Sequence, residues 1–295
     1  MIRRALLAML EHPQRGIPVL LVLSLFPFLG WLSPIVLALF CLRWQLSWSV
    51  VAMGTACLGA FLQSYFWIAV PLEAWSHTIV WLPILAKYLP IFLLATVWRI
   101  TVSLPLMLYA SALLVSVCVL LTQQTVGYLA ATQLLQQHFD VLYQGAQTSP
   151  DVDKEVWSYL IKLIPMGVFL SFLSSLLFAR WLQARLFYPD GFAKEFYGYR
   201  IEKSFAVVAS VLTACILLVN MPVWAEATVL VWLSLPGLAG VALVHAWVQA
   251  KNKSVFWLVG FYASWLFAMQ VLPPVLLAMG LLDSFYNWRH RWMSS

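Results

Sequence analysis

IPVLLVLSLFPFLGWLSPIVLALFCL, residues 17–42, carries no charged side chain, and its reading fixes the topology of everything that follows. A continuous helix over these positions rises about 39 Å at 1.5 Å per residue, more than the roughly 30 Å hydrocarbon core of a bilayer. Pro27, Gly30 and Pro34 interrupt it. A proline in a helix interior removes a backbone donor and collides with the preceding turn. Each half is then about 13 residues, or about 20 Å as helix, too short to cross comfortably. The segment therefore reads as a broken or re-entrant element that returns to the side it entered from.

Outward from it, charge-free intervals recur at about 46–70, 79–98, 103–121, 157–179, 205–219, 227–248 and 255–279. With the first, these make about eight hydrophobic segments, each near the roughly 20 residues a transmembrane helix needs. The chain is 63% hydrophobic and 9% charged. Soluble domains run at about 45–50% apolar and about 25% charged. Lipid accepts the excess directly, and only helices satisfy the backbone of such segments, because the short alternating strands of a membrane barrel are missing. The expected fold class is all-α: a polytopic transmembrane helical bundle forming one integral membrane domain over 1–295. Sixteen Trp and eleven Tyr suit the two bilayer interfaces.

Charge counting supports the returning first segment. With it, alternation puts Arg3, Arg4, Arg15, Arg43, Arg99, Arg180, Arg185, Lys194, Arg200, Lys203, Lys251 and Lys253 inside, and Lys154, Arg289 and Arg291 outside: 12 against three. A single crossing gives nine against six at best, with Lys87 and Lys162 counted as intramembrane in both cases. The positive-inside rule favours the first arrangement and a cytoplasmic N-terminus. Arg289 and Arg291 fit it poorly, unless Pro273 and Pro274 break the last segment so that 276–292 returns towards the cytoplasm. The acidic stretch 122–155 is expected outside, with helical apolar spacing over 126–142, and 180–204 inside as an amphipathic connector. No cleavable signal peptide is expected in residues 1–16, which hold Arg3, Arg4, Glu11 and Arg15 beside a short apolar run.

The net charge of +6 does not indicate nucleic acid, because the 17 Lys and Arg lie mostly in short stretches between apolar runs. Cys41, Cys57, Cys118 and Cys215 are far apart and read as core or lipid-facing thiols. His12, His77, His138, His245 and His290 lack metal-ligand spacing. Nucleotide, hydrolase and metalloprotease signatures are missing, so the expectation is a non-enzymatic protein without cofactor or metal.

Intramembrane polar residues are the better pointers, since a charge at bilayer depth is costly and usually faces a cavity or a partner. Lys87, between Pro83 and Pro90, reads either as a cation lining a polar cavity, paired with a solute or with a carboxylate such as Glu73, or as a snorkelling lysine. His245 and Gln270 are further ligand-binding candidates. Lys162 reads as an interfacial snorkeller. Ala52, Ala56 and Ala60, and likewise Ser171, Ser175 and Ala179, form small-residue stripes suited to close helix packing or to docking another subunit.

The most distinctive text is Ala179-Arg180-Trp181-Leu182-Gln183-Ala184, then Tyr188-Pro189-Asp190-Gly191-Phe192, Glu195-Phe196 and Arg200. It resembles the central motif of the YybS-like family of uncharacterised bacterial membrane proteins, A-R-W-W-Q-A followed by N-P-G-G-F, E-F and L-R. Gly240 to His245 is similar to that family's G-x-A-L-V-H segment, Arg99 to Leu104 to its arginine and short polar stretch, and Gly280 to Asp283 with Arg289 and Arg291 to its ending. Asp190 stands where the family has glycine, and Leu182 where it has tryptophan. The resemblance implies a bacterial inner-membrane protein of unknown function. At a further remove that family is similar to the S components of energy-coupling-factor transporters, although their first-helix A-x-x-x-A docking stripe has its clearest counterpart here at Ala52. Physically, the same residues read as an interfacial anchor or, through Arg180, Glu195 and Arg200, as a docking surface for a membrane-protein partner. Two functions remain: binding or helping transport a small solute, or a scaffold that docks another envelope protein.

Overall fold

A computed structural model describes the chain over residues 2–67, 77–122 and 150–293, with side chains placed for 6–66, 81–122, 162–289 and 291–292. Among the described residues every regular element is an α-helix. Five helical stretches are long and apolar enough to cross a bilayer: Leu46–Phe66, Trp81–Thr101, Leu104–Thr122, Lys162–Phe187 and Val223–Ala250. There are up to six spans if Gly191–Gly198 and Lys203–Leu218, bent by 60° at their junction, count as one broken span. The protein is therefore an all-α, multi-span membrane protein in contact with lipid. The expected helix over 126–142 and the suggested carboxylate Glu73 lie outside the described residues.

The chain divides into two compact units, Met1–Ser111 with Ser171–Glu195, and Ala112–Leu170 with Phe196–Ser295. The first holds α1 (Ile2–Glu11), α2 (Pro13–Leu25), α3 (Ser33–Arg43), α4 (Leu46–Trp67) and α5 (His77–Thr101). It also takes the start of α6 (Leu104–Thr122) and the end of α7 (Pro150–Phe187). Proline placement explains the break in the 17–42 segment. Phe26, before Pro27, is extended at φ −93° and ψ 124°, as the pre-proline position requires, and it ends α2. Pro34 falls in the first turn of α3, where its missing N–H costs nothing. The two short helices form an antiparallel hairpin: a Cβ on Gly16 would stand 2.7 Å from the Trp44 ring and 2.8 Å from Phe40, so the start of the segment lies against its end. On α4, Gly59 admits α2 so closely that a Cβ would collide with Ser24 and lie 3.0 Å from the Leu21 carbonyl. The Ala52, Ala56 and Ala60 stripe is buried, which is the packing reading of those alanines.

The second unit holds α8 (Gly191–Gly198) from Phe196 onward, α9 (Lys203–Leu218), α10 (Val223–Ala250), α11 (Phe256–Phe267), α12 (Leu272–Tyr286) and α13 (Trp288–Met293). α10 and α12 run antiparallel through a glycine crossing: a Cβ on Gly240 would collide with the Leu276 carbonyl, and one on Gly280 with that of Pro236. The interval 255–279, read as one span unless Pro273 and Pro274 break it, is divided by a turn before Leu272, because those prolines cannot donate to a preceding helical turn but sit without cost at a helix start.

Two other expectations change. Residues 180–187 of the connector continue α7 as helix, and Phe196 is buried instead of lying in the lipid interface. Lys162 does not snorkel alone, since its ammonium pairs with Glu226 at 2.6 Å. Arg289 is only 5% exposed. Left-handed Asn287 (φ 49°) turns the chain so that Arg289 pairs with Asp283 Oδ2 at 3.1 Å and donates to the carbonyls of Tyr197 and, at 3.1 Å, Ala239. Burial lowers its affinity for the proton and the Asp283 carboxylate opposes that. A guanidinium so held is a structural cation, which removes it from the loop charges that report topology.

Candidate functional site

The tip of the α2–α3 hairpin carries the site. Phe26 to Leu32 form successive tight turns, with Leu29 N–H donating to the Phe26 carbonyl at 3.0 Å and Leu32 N–H to Leu29 at 2.9 Å. The Gly30 carbonyl is left free of that pattern and accepts twice, from Ser33 Oγ at 2.8 Å and from Lys87 Nζ at 2.9 Å. With its proton given to Gly30, Ser33 accepts from the Tyr88 hydroxyl at 2.8 Å. Neighbouring residues of α5 thus anchor the tip by two routes, one ionic and one neutral.

Beside this anchor lies a cavity of ≈ 690 Å³, within the first unit. Lys87, Gln63 and the backbone of Gly30 face it, and Ser171, Ser174 and Ser175 of α7 line it as well. Lys87 is half-buried, and among the described residues no carboxylate comes within ion-pairing distance of it. Gln63, also half-buried, makes no side-chain hydrogen bond to a described residue. Ser174 and Ser175 give their protons to the Ser171 carbonyl, at 2.9 and 3.0 Å, so what they offer the cavity is acceptor capacity. The arrangement is one cation and one amide donor in a mostly apolar wall, equipped to hold an anionic group.

The hairpin base is clamped by the distinctive motif. Arg180 forms a two-pronged ion pair with Glu195, with Nε to Oε2 at 3.1 Å, and its Nη1 donates to Gln183 Oε1 at 2.7 Å. Gln183 passes the link on to the Leu42 carbonyl at 3.2 Å. The Arg43 guanidinium lies 4.5 Å over the Phe187 ring, and Arg99 donates to the Trp44 carbonyl. Arg43, Arg99 and Arg180 therefore share one end of the unit. Trp181 faces outward, 37% exposed, beside Arg185 and Phe178. Pro189 is exposed in a turn where Asp190 adopts φ 67°, the region glycine enters freely, and Gly191 N–H closes it onto Tyr188 at 3.0 Å. Gly191 and Phe192 begin α8, both half-buried.

The remaining candidates belong to the second unit. Arg200 donates to the Ser284 carbonyl at 2.8 Å, and Phe196 packs edge-on against His245. His245 shares a 2.8 Å hydrogen bond with the Tyr262 hydroxyl. Gln270 is exposed in the turn between α11 and α12, and no contact draws it towards His245. Of the three ligand-binding candidates, Lys87 lines the cavity described above within the first unit, and His245 and Gln270 belong to the second. Ser33, Tyr88 and Ser174 were missed, and Ser171 and Ser175 were read as a packing or docking stripe and not as cavity wall. Gln63 carried a signal, being an uncharged polar group inside an apolar interval, the same signal that singled out Gln270. The Gly30 carbonyl had none, because a backbone group is the same at every position.

Among the described residues no cluster of three or more His, Cys, Asp or Glu is placed to hold a metal. No family model matches the chain, and no curated protein and no solved structure matches it significantly.

Proposed function

We propose that the protein binds a small anionic solute in the cavity beside Lys87, as a bacterial inner-membrane component of the solute-binding kind to which the S components belong. The observation that carries this reading is the Lys87 ammonium: half-buried inside a span, held by a single 2.9 Å bond to a backbone carbonyl, and without a carboxylate partner among the described residues. A cation at bilayer depth is expensive unless an anion or water-filled cavity compensates it. A carboxylate or phosphate on the solute supplies the missing charge, and Gln63 supplies a second donor. Membership in the YybS-like family is part of the same proposal and rests on the motif alone.

The orientation proposed is N-terminus and hairpin base in the cytoplasm. It is supported by the gathering of Arg43, Arg99 and Arg180 at one end and by the contact of Gly16 with Trp44, which brings Arg15 and Arg43 to the same side. The scaffold reading loses two of its contact residues, because Arg180 and Glu195 are engaged with each other.

Mass spectrometry of small molecules released from gently purified protein tests the proposal. Wild type is expected to carry a stoichiometric anionic compound that Lys87→Met lacks while remaining folded. A Lys87→Met protein that retains the same compound and full function in its host refutes the reading.

A further inference from the structure

α10 ends at Ala250, and the next residues, Lys251 to Val255, form an exposed turn in which Asn252 is left-handed (φ 47°). Lys251 and Lys253 are both exposed and neither is ion-paired with a described residue. Two of the carboxylates of this unit are already engaged, Glu226 by Lys162 and Asp283 by Arg289.

Directly below the turn, two apolar clefts share Val244 and Trp247. One, of ≈ 500 Å³, extends to Phe256 and Trp257; the other, of ≈ 530 Å³, extends to Trp288 and Trp292. Trp247 stands three residues before the end of α10, so the clefts begin about 5 Å below the lysines. The adjoining helix α11 buries none of its 12 residues, ten of which are apolar or aromatic. We propose that this surface is a binding site for one anionic glycerophospholipid, with its phosphate at Lys251 and Lys253 and its two acyl chains in the clefts on either side of Trp247.

Charge and depth select this occupant. An apolar helix from another protein covers the clefts but leaves two cations uncompensated at their mouth. A second copy packed by twofold symmetry brings the same lysines face to face. A zwitterionic lipid fills the clefts without net charge for the lysines. An anionic lipid meets all three features at the level where headgroup, glycerol and chains occur, and Lys253, 6.0 Å over the Trp257 ring, stands where the headgroup joins the apolar wall.

The test is competition between phosphatidylglycerol and phosphatidylcholine for the full-length protein in detergent, at equal concentration, with bound lipid counted by native mass spectrometry. Two lysines at the headgroup level are expected to favour phosphatidylglycerol by roughly tenfold to thirtyfold. Lys251→Gln with Lys253→Gln is expected to abolish the preference without changing thermal stability, because both side chains are exposed. Replacing both by arginine keeps the preference, and so does Lys203→Gln, which removes an exposed cation at the start of α9. Trp247→Ala weakens retention of both lipids. A wild type that does not discriminate, a double glutamine variant that still does, or a Lys203→Gln protein that loses the preference equally overturns the site. A stable partner or second copy seated on Trp247 in place of lipid does the same.

Discussion

The ammonium of Lys87 and the carbonyl oxygen of Gly30 are 2.9 Å apart across 57 positions of sequence. This bond ties the tip of a proline-broken hairpin to α5, and the ammonium also lies 5.1 Å from the centre of the Tyr88 ring. Ser33 bonds the same carbonyl, so Lys87 is not needed to satisfy it. Lys87→Met should therefore change unfolding stability by no more than about 1 kcal/mol while removing bound anion. Tyr88→Phe should do the reverse, costing about 1 kcal/mol through Ser33 with binding retained. Thermal unfolding in detergent, read beside ligand retention, separates the two effects.

The glycine crossing of α10 and α12 has no room for a side chain. Gly240→Ala and Gly280→Ala are each expected to cost about 1–3 kcal/mol or more, because the obstruction is backbone and not a movable side chain. Gly237→Ala, three residues away on the same helix with nothing near its missing Cβ, should be neutral or slightly stabilising. Equal losses at Gly237 and Gly240 would contradict the crossing.

If Arg180 and Glu195 form a clamp within the fold and not a docking surface, they should be coupled. A double-mutant cycle of Arg180→Ala and Glu195→Ala is expected to show a coupling of about 1–3 kcal/mol in stability, the range for half-buried charge-assisted bonds. Simple additivity, with a partner protein lost on either substitution, would restore the scaffold reading.

Lys162 and Glu226 pair at 2.6 Å with side chains only 21% and 18% exposed. Removing one leaves the other charge in an apolar setting, so Lys162→Met alone should lower stability by about 1–3 kcal/mol, and adding Glu226→Met should recover much of it. The measurement is melting temperature for the two single variants and the double.

Topology is testable by thiol labelling in a background without Cys41, Cys57, Cys118 and Cys215. An impermeant reagent applied to intact cells should modify Asn220→Cys, exposed between α9 and α10, and should not modify Ala193→Cys. The opposite pattern inverts the proposed orientation.

The linear sequence determined the class of protein and where its helices break. Charge-free length makes a membrane helix, and Pro27, Pro34, Pro273 and Pro274 stop or start helices through local backbone chemistry that operates before any tertiary contact forms. It also marked Lys87, because a cation inside an apolar interval is anomalous wherever the helix packs. Only the tertiary structure decided what meets what. Arg180 pairs with Glu195, 15 positions away, and not with lipid; Lys162 meets Glu226; Arg289 turns inward to Asp283 across the left-handed Asn287. Gly30 becomes an anchor because its carbonyl is left over at a hairpin tip, and Ser171, Ser174 and Ser175 become cavity wall because α7 packs beside that tip. The physical reason is that helix formation and bilayer insertion depend on local composition. Pairing of polar groups depends on distances between helices, which no single stretch of the chain contains.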